Sequence, residues 1–151
     1  RLLVFSQFSS MLQMIYDQFE KEGISSFYLD GRTPSKERVH MANQFNQGEK
    51  EVFLISLKAG GTGLNLTGAD TVILYDLWWN PAIEEQAAGR AHRMGQKNVV
   101  QVIRLLTKGT IEEKIYALQQ KKKELIEQVI QTGETMLTSL SEAEIRELLH
   151  M

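Results

Sequence analysis

The sequence contains no cysteine, only two prolines and only three histidines among its 151 residues. Without cysteine it can form neither a disulfide framework nor a thiolate zinc site, which agrees with a reducing compartment. The histidines, His40, His92 and His150, are scattered, which argues against a metal site. No apolar run approaches the roughly 18 residues needed to cross a bilayer. We expect a soluble, cytoplasmic protein with no membrane contact.

An excess of positive charge is also missing, because 17 lysines and arginines stand against 19 aspartates and glutamates. The formal net charge of −2 gives no overall positive field, so any contact with nucleic acid has to come from a local basic surface. With 42% hydrophobic residues, the chain can bury the core of one compact domain. It begins at Arg1 and enters an apolar run at once, from which we expect a fragment of a longer protein.

Short apolar runs alternate with segments of helical periodicity along the first two thirds of the chain. This alternation is typical of a parallel sheet with helices on both faces, so the predicted fold class is α/β. The strands are predicted at residues 2–5, 26–29, 52–56, 71–75 and 99–106. One amphipathic helix is predicted to end at Gly23, and a second to start at Thr33 with Pro34 as its first helical residue. The residues predicted to share the buried side of this second helix are Val39, Ala42 and Phe45.

After Leu106 the alternation stops and the chain is predicted to be helical. Thr110 and Glu113 form a capping box that opens a long helix reaching about residue 130. A second capping box, Ser141 with Glu144, opens a short helix over 142–149. We therefore predict an α/β lobe at 1–108 and a C-terminal helical extension at 109–151.

The strongest chemical signal is a glutamine followed by two arginines, Gln86, Arg90 and Arg93. On a helix these residues stand at i, i+4 and i+7, which places them on one face. A guanidinium group matches phosphate oxygens with two parallel hydrogen bonds, and it can neutralise charge that develops during phosphoryl transfer. The alternative is a solvated helix face with a surface ion pair to Glu84 or Glu85.

A glycine-rich segment follows the third predicted strand, with Gly60, Gly61 and Gly63 close together. Glycines let the backbone approach a ligand closely, and their amides can point at an anion. The segment is not a Walker-type phosphate loop, because no Gly-Lys-Ser/Thr sequence ends it. Its alternative interpretation is a tight connection that binds no ligand.

Two tryptophans, Trp78 and Trp79, follow the fourth predicted strand and precede Asn80 and Pro81. At the end of a strand in an α/β sheet, such side chains could stack on a base or contact a sugar-phosphate backbone. A tryptophan in this position also often belongs to the core, and we expect at least one of the two to do so.

These three segments, together with residues 5–8 and 29–33, occur in one order with characteristic spacings. In this respect the chain closely resembles the second RecA-like lobe of Swi/Snf-type ATPases, within helicase superfamily 2, over residues 1–118. The segment 132–151 resembles the ends of bacterial members, from which we expect a natural C-terminus.

The resemblance implies a role for individual residues. Arg93 corresponds to the arginine finger of the family and Arg90 to a second phosphate contact. The nucleotide-binding positions that it implies are Gln86, Gly61, Gly63 and Asn65. The DNA-binding positions that it implies are Ser6, Gln7, Arg32, Lys58 and Trp79.

The resemblance also implies that the intact protein hydrolyses ATP with Mg²⁺ and moves along double-stranded DNA, in a bacterial cytoplasm at the nucleoid. Because neither a phosphate loop nor an Asp-Glu pair for magnesium is present, ATP and Mg²⁺ would be bound mainly by an N-terminal RecA-like lobe of the same polypeptide. We expect this chain alone to be inactive. Two departures from the family pattern involve three positions: Leu77 and Trp78 replace polar residues, and Gly89 stands where the family often has an aspartate. The alternatives are a nucleic-acid-binding or regulatory lobe without an ATPase role, and a lobe of a strand-separating helicase.

Overall fold

The computed structural model describes residues 1–60, 63–76 and 81–132. The chain divides into two compact units, one made of residues 1–78 and 82–105 and the other of residues 79–81 and 106–151. The boundary predicted between residues 108 and 109 stays a prediction.

The first unit contains a five-stranded, entirely parallel sheet, which confirms the predicted fold class. Its strand order is β2-β3-β1-β4-β5. The strands are β1 (Leu2–Ser6), β2 (Ser26–Leu29), β3 (Val52–Ser56), β4 (Thr71–Leu74) and β5 (Gln101–Arg104). The second and third strands have the predicted bounds, whereas β5 is shorter than the predicted 99–106 because it is an edge strand and Val99 before it is 92% exposed.

Helices cover both faces of this sheet, as predicted. The helices are α1 (Ser9–Lys21), α2 (Ser35–Gln47), α3 (Leu57–Gly60), α4 (Pro81–Ala88) and, in the second unit, α5 (Ile111–Thr132). Leu12 of α1 packs with Val4 and Leu54 on one face, whereas Phe45 of α2 packs with Phe53 on the other. The chain runs from β1 to the edge strand β2 and then reverses direction across the sheet, and right-handed crossovers in opposite directions place their helices on opposite faces.

The start and the buried face of α2 differ from the prediction. Pro34 is the N-cap, so the helix begins one residue later than expected. Val39 is 55% exposed, and the inward positions are Arg38, Ala42 and Phe45. Arg38 takes the place predicted for Val39 because its guanidinium donates to backbone carbonyls, at 2.7 Å to Thr33 O and 3.2 Å to Ala59 O.

Helix α5 begins where the first capping box predicts it, although the cap bonds are displaced by one residue. The amide of Glu112 donates to Thr110 Oγ1 at 3.3 Å, and the amide of Gly109 donates to Glu113 Oε2 at 2.8 Å. The second predicted capping box and the helix over 142–149 lie outside the described residues.

Candidate functional site

Three segments that carry predicted site residues begin at one edge of the sheet, after β1, β2 and β3. The strands are parallel and in register, with Ser6 beside Ser56 and Phe5 beside Leu74, so their carboxyl ends share this edge. After β1 the chain crosses towards one side of the sheet, and after β3 it crosses towards the other. Ligands of open α/β sheets bind in the crevice that forms where neighbouring strands connect in opposite directions. In this sheet β1 meets that condition with both of its neighbours, β3 and β4, because the chain leaves β1 in one direction and leaves β3 and β4 in the other.

The two arginines lie in turns, so the predicted helix through Arg93 is wrong. Helix α4 ends at Ala88, and residues 89–95 form successive turns. The reason is a long-range hydrogen bond: Leu66 N donates to Arg90 O at 3.0 Å, which takes a carbonyl that a continued helix would have used. Gln86 is exposed while Arg90 is buried, so the three side chains do not share one helix face.

Both guanidinium groups nevertheless converge on Gly63, in the loop after β3. Arg93 Nη1 donates to Gly63 O at 3.1 Å, and a Cβ added to Gly63 would lie 3.9 Å from Arg90 Nη1. Gly63 has a φ of 73°, a left-handed conformation that favours glycine. The alternative ion pair to Glu84 is not formed, because Glu84 is buried and accepts from Arg104 Nε at 2.8 Å.

Arg90 is an uncompensated buried cation within the part of the chain that the structure describes. Arg90 is 3% exposed, and its guanidinium has no carboxylate or carbonyl partner among the described residues. Burial, and next the nearby charge of Arg93, lower the pKa of Arg90 from its ordinary value. Arginine stays charged at neutral pH even so. Two guanidiniums that meet at one glycine have the donors to bind phosphate oxygens through charge-assisted hydrogen bonds.

Asn65 and Gln86 are the other predicted nucleotide residues that the structure describes. Asn65 is exposed, and its backbone oxygen accepts a hydrogen bond from Asn46 Nδ2 at 2.9 Å. Gln86 is exposed on α4. Gly61 lies outside the described residues.

The predicted DNA residues divide into exposed and buried ones. Lys58 is exposed at the carboxyl end of β3. Ser6 is fully buried and donates through Oγ to Asp76 Oδ2, while Gln7 N donates to Asp76 Oδ1 at 3.0 Å. Ser6 therefore holds the loop after β1 against the end of β4. Trp79 lies outside the described residues.

Arg32 is 86% exposed and is oriented by an ion pair within its own loop. Its Nη2 donates to Asp30 Oδ2 at 2.8 Å, and its Nε donates to the same oxygen at 3.2 Å. Hydrogen bonding from Arg32 lowers the pKa of the Asp30 carboxyl from its ordinary value, despite the burial of that carboxyl. The pair keeps the Arg32 guanidinium at the edge of the sheet. There a phosphate could replace the Asp30 carboxylate or bind the guanidinium together with it.

Sequence reasoning gave no role to Asp30 or Asp76, the two aspartates that fix these loops. The available signal was their position, because each comes within two residues of the end of a buried strand, where polar side chains of an α/β sheet collect. The described residues contain no group of three or more side chains that could hold a metal ion. None of the helices described here is both long and apolar enough to cross a membrane.

Comparison with protein families gives a match to the helicase conserved C-terminal domain over residues 1–95. An uncharacterised ATP-dependent helicase of Mycoplasma pneumoniae is 42% identical over 149 residues, covering 98% of this chain and 14% of that protein. The mouse SWI/SNF-related, matrix-associated, actin-dependent regulator of chromatin, subfamily A member 1, is 41% identical over 153 residues and covers 100% of this chain. The chain spans 15% of that protein's length.

A solved structure shares the fold. The C-terminal part of the Fun30 ATPase domain aligns with a TM-score of 0.75 and 38% identity, over 79% of this chain and 39% of that one. The parallel five-stranded sheet is accordingly RecA-like.

Proposed function

Because this chain belongs to the helicase conserved C-terminal domain family, with SWI/SNF-related ATP-dependent helicases among its relatives, we propose that it is the second motor lobe of an ATP-dependent duplex-DNA translocase. The observation that supports this most is the buried guanidinium of Arg90, which has no carboxylate partner among the described residues and lies beside Arg93 at Gly63. In this proposal, ATP and Mg²⁺ are bound mainly by an N-terminal RecA-like lobe of the same polypeptide.

In the proposed mechanism, closure of the two lobes brings the nucleotide to Arg90 and Arg93. Arg93 then exchanges its bond to Gly63 O for the transferring phosphoryl group and neutralises the charge that develops there. Arg90 stays in place because it is already buried, and it contacts a second phosphate oxygen. Gly63 and Lys58 both belong to the segment after β3. Release of the Gly63 carbonyl would therefore let this segment move, together with Lys58 on the side proposed for DNA.

The first test compares the intact protein with this chain alone. We expect phosphate release from ATP by the intact protein to rise on addition of duplex DNA, and none from residues 1–151, because this sequence lacks a phosphate loop and an acidic pair for magnesium. DNA-stimulated release from the homogeneous chain alone would contradict the proposal. Stimulation by single-stranded RNA with no response to duplex DNA would favour the strand-separating alternative.

A second prediction concerns the contact between Lys58 and the DNA backbone. In the intact protein, Lys58→Ala should weaken duplex binding without regard to sequence and reduce the slope of log affinity against log salt by about 1, because one phosphate contact is lost. Filter binding or fluorescence anisotropy at several salt concentrations measures this slope. The matched control is Lys21→Ala at the end of α1, since α1 returns the chain to the opposite edge of the sheet and Lys21 is exposed there. Equal effects of the two changes would show that Lys58 makes no specific contact.

A further inference from the structure

Gln96 uses its side-chain amide to join the arginine turns to the glycine-rich loop. Its Nε2 donates to Ala69 O at 2.6 Å and to Ala91 O at 3.0 Å. Its Oε1 accepts from Asn98 N at 3.0 Å, and its backbone N donates to Arg93 O at 3.0 Å. Gln96 is only half-buried, but both the nitrogen and the oxygen of its side-chain amide form hydrogen bonds.

These bonds complete a series of three links between two segments, the loop 63–69 and the turns 89–96. Arg93 Nη1 is linked to Gly63 O, Leu66 N to Arg90 O, and Gln96 Nε2 to Ala69 O. The links follow one another along the loop at its start, middle and end. Without the last one, the end of the loop loses its direct hydrogen bond to the segment that carries both guanidiniums.

The opposite side of the loop is fixed by a second amide, from α2. Asn46 Nδ2 donates to Asn65 O at 2.9 Å, and Asn46 Oδ1 accepts from Gly68 N at 2.8 Å. Asn46 attaches the loop to the body of the sheet, whereas Gln96 attaches the arginine turn to the loop. Gln96 is therefore one of the three links that hold the arginine turns against the loop, and the one that uses a side-chain amide at the end of the loop.

We propose that Gln96 is a positioning residue that sets the register of Arg90 and Arg93 against the loop 63–69 during ATP hydrolysis. The inference rests on the function proposed above. Glutamine suits this task because one side chain supplies two N–H donors for two carbonyls and an acceptor for an amide. Glutamate has the same shape, but when ionised it accepts only, so it would face the carbonyls of Ala69 and Ala91 with no proton to share.

The test is Gln96→Glu in the intact protein. We expect the maximal DNA-stimulated turnover to fall roughly 10- to 100-fold with little change in KM for ATP, because misplacing a catalytic group by about 1 Å can cost about 10²-fold. Combined with Arg93→Ala, Gln96→Glu should lower turnover by a smaller factor than it does alone, since the part of its effect that acts through Arg93 is already lost. The control is Gln18→Glu on α1, the same exchange at an exposed glutamine whose side chain donates to Glu22 on the surface of that helix.

The outcomes separate the two proposals. If Arg93→Ala lowers turnover but Gln96→Glu does not, or if the two losses add fully, the positioning role is overturned and the proposed function stands. If Arg93→Ala leaves turnover unchanged, the proposed function falls and the role of Gln96 falls with it. Should Gln96→Glu fail to fold, Gln96→Met, which leaves the same carbonyls without donors and adds no charge, is measured in its place. A higher KM together with a lower melting temperature, with kcat retained, would indicate a purely structural residue.

Discussion

Arg93→Ala should lower the maximal DNA-stimulated ATPase rate of the intact protein by roughly 10³- to 10⁵-fold, the range measured for arginine fingers in related phosphoryl-transfer systems. Folding should be nearly unaffected, because Arg93 is exposed and its side chain makes one hydrogen bond among the described residues, to Gly63 O. Nucleotide affinity should also be nearly retained if the guanidinium acts mainly on the transition state. Steady-state turnover and a separate nucleotide-binding measurement give the two numbers.

Two further variants make this prediction specific to the guanidinium. Arg93→Lys should restore little activity, because lysine keeps the charge but loses the planar fork that bridges two phosphate oxygens. Lys97→Ala removes a positive charge from an exposed residue of the same segment and should leave turnover unchanged. If Arg93→Ala had the rate of the unmodified protein, Arg93 would be a solvated residue that costs a few tenths of a kcal/mol at most, and the finger assignment would be wrong.

The elements of the sheet could be predicted from the sequence because each depends on local patterns. Residues Ser26–Leu29 and Val52–Ser56 are predominantly apolar runs between polar residues, and both were predicted with their observed bounds. β5 was predicted too long, since the apolar residues Val99, Leu105 and Leu106 extend the run but are exposed at the edge of the sheet.

The site was harder to predict because the bonds that shape it join distant residues. Ser6 and Asp76 are separated by 70 positions, and nothing near either one indicates the other. The helix was extended through Arg93 on periodicity alone, but the bond from Leu66 N to Arg90 O ends the helical pattern. The convergence of both arginines on Gly63 depends on this long-range contact and could not be predicted from the spacing of Arg90 and Arg93.

Arg90 differs from Arg93 because its side chain is buried, so its charge affects the stability of the fold as well as the proposed function. A buried charge without a counter-charge is costly, and replacing buried ionic groups by apolar side chains of similar volume is often neutral or stabilising by about 1–4 kcal/mol. Arg90 is buried with no anion among the described residues, and burial already lowers its pKa. The folded chain therefore carries a cost at Arg90 that a bound phosphate would offset.

Arg90→Met should consequently leave the free energy of unfolding unchanged or raise it by about 1 kcal/mol, while turnover in the intact protein falls roughly 10²- to 10³-fold. The backbone bond from Leu66 N to Arg90 O survives the change, because it does not use the side chain. Arg38→Met is the matched comparison: that guanidinium donates to Thr33 O, Gly31 O and Ala59 O, so its loss should lower stability by about 1–3 kcal/mol. Urea denaturation of this chain and ATPase assays of the intact protein supply both quantities. A destabilisation by Arg90→Met as large as that by Arg38→Met would mean that Arg90 is a structural cation, and the second phosphate contact would have to be assigned elsewhere.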